Sequence, residues 1–138
     1  MKIALLGAAA VLAFTPAAFA EVVNYKADLK ASSEVPPNDS KGSGAVTATY
    51  DTATKKLTFS ATYKDLSGPA TVAHFHGPAA AGANAGVMVP VKETTASPLK
   101  GEATLTDDQA KALADGQMYF NIHTAANKGG EIRGQVTK

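Results

Sequence analysis

Ala45-Val46-Thr47-Ala48-Thr49-Tyr50-Asp51-Thr52-Ala53-Thr54-Lys55-Lys56-Leu57-Thr58-Phe59-Ser60-Ala61-Thr62-Tyr63 is the stretch from which the fold follows. Val46, Ala48 and Tyr50 alternate with Thr47 and Thr49. Leu57, Phe59, Ala61 and Tyr63 alternate with Thr58, Ser60 and Thr62. Successive side chains of a strand point to opposite faces, so each run is a strand with one apolar and one polar side. The polar residues 51–56 between them form a turn, and the pair is a hairpin.

The same pattern extends outward in both directions. Residues 22–29 make a first strand, and residues 32–44, broken by Pro36, Pro37, Gly42 and Gly44, make a loop. After a turn at 65–69 comes a strand at 72–76, then a small-residue loop at 78–85. Residues 87–91 are a short apolar run interrupted by Pro90, which predicts an edge strand or a bulge. Residues 100–105 form another strand. Thr106 and Gln109 have capping-box spacing, so a short helix starts there and ends at Gly116. Residues 117–124 and 130–137 are the last two strands. Short strands separated by frequent turns predict an all-β fold, an antiparallel β-sandwich or Greek-key barrel with one short inserted helix.

The N-terminus has the pattern of a secretory signal peptide. Lys2 gives a basic start, residues 3–14 are apolar, and Ala18-Phe19-Ala20 is an A-x-A cleavage site. The apolar run is shorter than the roughly 20 residues of a membrane span. The expected division is a leader over 1–20 and one domain over 21–138, periplasmic or secreted. Without Lys2 the domain carries 12 basic and 12 acidic residues, so no charge excess points to nucleic acid or to an anionic membrane. The chain has no cysteine, which excludes disulfides, thiolate catalysis, iron–sulfur clusters and cysteine-ligated zinc.

The chain's three histidines occupy two strand segments, Val72-Ala73-His74-Phe75-His76-Gly77-Pro78 and Tyr119-Phe120-Asn121-Ile122-His123-Thr124. His74 and His76 share a strand face opposite Phe75, and His123 lies opposite Phe120 and Ile122. With the large apolar side chains in the core, the imidazoles fall on the outer face, roofed by the 78–86 or the 125–130 loop. An H-x-H pair plus a third histidine suits copper, with zinc as the alternative, and leaves a coordination position open. The opposing expectation is three surface histidines with no ligand role. Met88 offers a soft axial ligand against an ordinary place in the core. Arg133 could lie near the metal and attract small anions and Glu131 could orient a histidine, each against the alternative of a cross-strand ion pair or a solvated face, and Tyr119 and Asn121 share the histidine face.

These residues carry a resemblance. Ala73-His74-Phe75-His76-Gly77-Pro78, Gly86-Val87, residues 113–116, Tyr119-Phe120-Asn121-Ile122-His123-Thr124, and Asn127 with Gly129-Gly130-Glu131-Ile132-Arg133-Gly134-Gln135 resemble the CHRD domain family, named for the repeated domain of chordin and found also in exported bacterial proteins. The resemblance covers nearly all of 22–137 and implies a β-rich fold; in chordin the setting is growth-factor binding. A weaker likeness is to copper/zinc superoxide dismutases, whose H-x-H, later histidine and glycine-flanked arginine match His74, His76, His123 and Arg133 in order. The fourth histidine, the bridging histidine, the zinc loop and the disulfide of those enzymes have no counterpart here. Three functions are therefore expected in competition. One is an exported copper-binding protein that buffers or delivers the metal, with a copper donor or acceptor protein as partner. The second is a copper-only dismutase with Arg133 as its catalytic, anion-steering residue, and the third is a metal-free interaction or adhesion module.

Overall fold

The structure is a computed structural model that describes residues 11–16, 19–94 and 96–138. The expected leader over 1–20 falls largely outside them. Among the described residues eight strands follow in order: β1 (Val22–Lys30), β2 (Ser43–Asp51), β3 (Lys56–Lys64), β4 (Ala70–His76), β5 (Val87–Pro90), β6 (Leu99–Thr104), β7 (Tyr119–Thr124) and β8 (Ile132–Gln135). A helix, α1 (Asp107–Ala114), joins β6 to β7, and a 310 turn, Ala31–Ser33, follows β1. The helix starts at the expected capping box. The Thr106 hydroxyl accepts from the Gln109 amide at 3.2 Å, and the Gln109 side chain accepts from the Thr106 amide at 3.0 Å.

The strands form one antiparallel sheet in the order β5-β4-β7-β8-β1-β2-β3-β6. The β2–β3 hairpin pairs Val46 with Ala61, Ala48 with Phe59, and Tyr50 with Leu57, which puts the large apolar residues of both strands on one face. This match fixes the register, because a slip of one residue would turn the apolar face to water. Phe59 on β3 meets Phe75 on β4 at 5.0 Å between ring centroids and Phe120 on β7 at 6.5 Å. Those strands stand far apart in sheet order, so the sheet has curled onto itself into a nearly closed barrel, with these rings at its centre. Pro90 lies on the edge strand β5, and the pairing of β4 with β5 shifts between Phe75 and His76; the segment is both edge and bulge.

β1 and β8 approach closely enough that one glycine is required between them. A Cβ on Gly134 would overlap the Asp28 carbonyl oxygen and stand 2.8 Å from the carbonyl carbon. Gly134→Ala is expected to destabilise the fold by about 1–3 kcal/mol, the usual cost of overpacking. Urea unfolding checks this, and a wild-type midpoint would show that the two strands separate without cost.

Candidate metal centre

β4 and β7 are neighbours, and their antiparallel register sets Val72 against His123, His74 against Asn121, and His76 against Tyr119. All three imidazoles therefore emerge on one face. Phe75, Phe120 and Ile122 on the other face are fully buried in the core. His74 stands edge-on to both other rings, at 5.3 Å from His76 and 5.1 Å from His123 between centroids. One nitrogen from each ring falls within 4.8 Å of the others. Metal–nitrogen bonds of about 2 Å would draw such a set closer.

Both loops expected as a roof cover the cluster. The Nδ1–H of His76 donates to the Ala85 carbonyl at 3.0 Å, and that of His123 donates to the Lys128 carbonyl at 2.7 Å. A carbonyl only accepts, so each Nδ1 carries the proton and each neutral ring keeps its lone pair on Nε2. Those two Nε2 atoms converge on the Asn121 Oδ1, each at 2.9 Å. Three acceptors thus face one another with no proton between them while the rings are neutral. The Nδ1 of His74 is buried and has no hydrogen-bond partner. Burial holds the pKa of His74 below the ordinary histidine value, and the neighbouring His123 and His76 add to this. Burial also lowers His76, against the hydrogen bonds to Ala85 and Asn121 that favour its charged form. Both rings are therefore neutral and free to ligate at neutral pH.

Tyr119 supports the cluster from the side. Its ring stacks on His76 at 4.7 Å with a 5° interplanar angle, and the Arg133 guanidinium lies 3.5 Å from its centroid. β7 runs between β4 and β8, so the tyrosine ring sits between a histidine and an arginine supplied by opposite neighbours. Arg133 is 2% exposed, donates to the Asn84 Oδ1 at 2.8 Å and to the Ala83 carbonyl, and so ties the roofing loop to the sheet. Met88 packs toward Gly77 and the groove beside α1, in keeping with the core place weighed against its ligand role.

Glu131 neither orients a histidine nor lies in an ion pair or on a solvated face, the roles weighed for it from the sequence. It is fully buried and accepts from the hydroxyls of Ser40, Ser67 and Thr124, the Ser67 amide and the Asn127 side chain. Burial works to raise its pKa, but the Ser67 hydroxyl and amide, Thr124 and Asn127 outweigh it and hold the carboxylate at about 2.

Glu34 is the site residue that sequence reasoning missed. It lies in the long 32–44 loop, is 4% exposed, and leaves its Oε1 without a hydrogen-bond partner. Burial pushes its pKa up to about 7, opposed by the Asn121 amide, the Arg133 charge and the Val35 amide. Nothing in a Gly/Pro-rich loop marks one acidic residue as internal. Asn121 was visible only as a residue on the histidine face.

Residues 25–136 match the family model described as the CHRD domain. No curated protein and no solved structure matches the chain.

Proposed function

We propose that this chain, which belongs to the CHRD domain family, is an exported metal-binding protein that holds copper through His74, His76 and His123. The observation that carries this is the converging set of lone pairs. Two carbonyl-anchored rings point unprotonated Nε2 atoms at one amide oxygen, beside a third ring whose buried Nδ1 has no partner. Buried acceptors facing acceptors cost free energy unless a proton donor or a cation lies among them. Burial opposes protonation of His74 and His76, and a cation held by all three rings would satisfy the set.

Neutral imidazoles suit copper and zinc, and for a given nitrogen set copper binds more tightly. The N-terminal leader pattern supports export. Buffering or delivery, with a copper donor or acceptor protein as partner, fits better than turnover. A dismutase would draw its anion to a cation at the centre, and Arg133 is enclosed between Tyr119 and the roofing loop.

Titration of the purified domain with copper(II) and zinc(II) tests the proposal. One equivalent of copper is expected to bind, with imidazole-nitrogen couplings in its electron paramagnetic resonance spectrum and little superoxide removal beyond that of free copper. A domain that takes up neither metal would overturn the metal reading. Superoxide removal well above that of free copper would replace storage by catalysis.

A further inference from the structure

We propose that the side-chain oxygen of Asn121 is the fourth ligand of the metal centre, closing a set of three imidazole nitrogens and one amide oxygen. This deepens the copper reading above and rests on it.

The strands put Asn121 in the middle of the histidines. The register of β4 against β7 sets it directly opposite His74. His76 stands two residues further along β4, and His123 two residues further along β7, so all four side chains share one face. Side chains directly opposite on paired strands have Cβ atoms about 5 Å apart, and diagonal neighbours about 7–8 Å. A short amide at this position therefore ends in the space between the rings, and Asn121 is 3% exposed there. Its Oδ1 lies 2.9 Å from the Nε2 of His76 and 2.9 Å from the Nε2 of His123. A hydrogen bond accounts for neither contact. Both rings carry their proton on Nδ1, facing the Ala85 and Lys128 carbonyls, and an amide oxygen has no proton to give. The spacing is that of ligands on one ion. Donors each about 2 Å from a metal stand about 2.8 Å apart at a right angle and about 3.3 Å apart at the tetrahedral angle. The oxygen already keeps this spacing to two rings, while the three ring nitrogens spread within 4.8 Å of one another. On the remaining side the buried Nδ1 of His74 has no hydrogen-bond partner and is free to be the third nitrogen. The amide nitrogen lies toward Gly130, where a Cβ would stand 2.6 Å from it. Four protein donors leave no open position, which suits a site that holds its metal. The fourth donor is a hard oxygen, with Met88 packed toward Gly77 instead, so the set favours divalent copper or zinc over copper(I), which soft thioethers select.

Asn121→Asp and Asn121→Ala test the proposal. An Asn121 that only braced the rings would do so through N–H groups turned toward the two Nε2 atoms, and aspartate has none to offer. Copper(II) affinity, imidazole-nitrogen couplings in the electron paramagnetic resonance spectrum and water-proton relaxation are measured on the copper-loaded protein. Asn121→Asp keeps an oxygen donor. It is expected to bind copper(II) at least as tightly as wild type and to leave water-proton relaxation unchanged. Asn121→Ala is expected to keep the imidazole couplings, to bind at least about tenfold more weakly, and to speed water-proton relaxation as a water takes the vacated position. Should the alanine variant fail to fold, the aspartate variant still decides. Weakening in Asn121→Asp as large as in Asn121→Ala, or wild-type relaxation in Asn121→Ala, would remove Asn121 from the ligand set and leave the three-histidine site standing. A wild-type protein that takes up neither copper(II) nor zinc(II) would overturn both proposals.

Discussion

Replacing His74 or His76 by alanine is expected to weaken copper binding by more than the ten- to hundredfold typical of losing a residue that only orients a ligand. Either change leaves two imidazoles where three converge within 4.8 Å. The two variants should differ in everything else. His74 is half-buried, its Nδ1 has no partner, and its loss removes no hydrogen bond that holds a loop. His74→Ala should therefore lose the metal and keep the melting temperature of the metal-free protein. His76 holds the Ala85 carbonyl and stacks on Tyr119. His76→Ala should also loosen the 78–86 roof, with a further stability loss of about 0.5–1.5 kcal/mol for the lost hydrogen bond, the Tyr119 hydroxyl still donating to the Ala85 carbonyl at 3.2 Å. Calorimetric titration with copper, together with thermal melts of the metal-free variants, separates the two effects. Retained one-to-one binding in His74→Ala would remove that ring from the ligand set.

Glu131→Ala is expected to be the most destabilising single change, at roughly 3–5 kcal/mol, the range for breaking a buried charged network from one side. The carboxylate gathers donors from three separate segments: Ser40 before β2, Ser67 between β3 and β4, and Thr124 at the end of β7 with Asn127 just after it. Removing it leaves several buried donors unpaired at once. Its titration gives a second signature. The folded pKa of about 2 lies below the ordinary value of 4.5. An unfolded chain therefore binds this proton more readily than the folded one, and the stabilisation is complete above about pH 4.5 and is lost as the pH falls toward 2. Urea midpoints measured between pH 6 and pH 2 should fall more steeply for wild type than for Glu131→Gln. Parallel curves would show that the carboxylate is not held ionised by its partners.

Glu34 titrates with the opposite sign. Its folded pKa of about 7 is raised above 4.5, so its contribution is present below about pH 4.5 and lost as the pH rises through 7. A carboxyl that burdens the neutral-pH fold is easier to understand as part of a site than as part of a stabilising network.

The alternation in residues 45–63 determined the hairpin, its register and the all-β class, because a period of two leaves a strand only one way to hide its apolar side. The spacing of Thr106 and Gln109 determined where the helix begins, since a cap depends on neighbours three residues apart. H-x-H on one strand and a lone histidine on another were enough to place three imidazoles on one face, once the strands were known to be neighbours. Strand order is not local, and no pattern within 70–76 or 119–124 states that β4 lies beside β7. The curling that brings Phe59 onto Phe75 and Phe120, and the two loops that bury an otherwise polar face of β7, were likewise settled only in three dimensions. The same holds for Glu34 and Glu131, some of whose partners lie dozens of residues away and whose roles depend on groups that no periodicity encodes. Sequence patterns report which face of each element seeks the core; which loop then covers the other face, and what chemistry it brings there, depends on contacts that form only when distant segments meet.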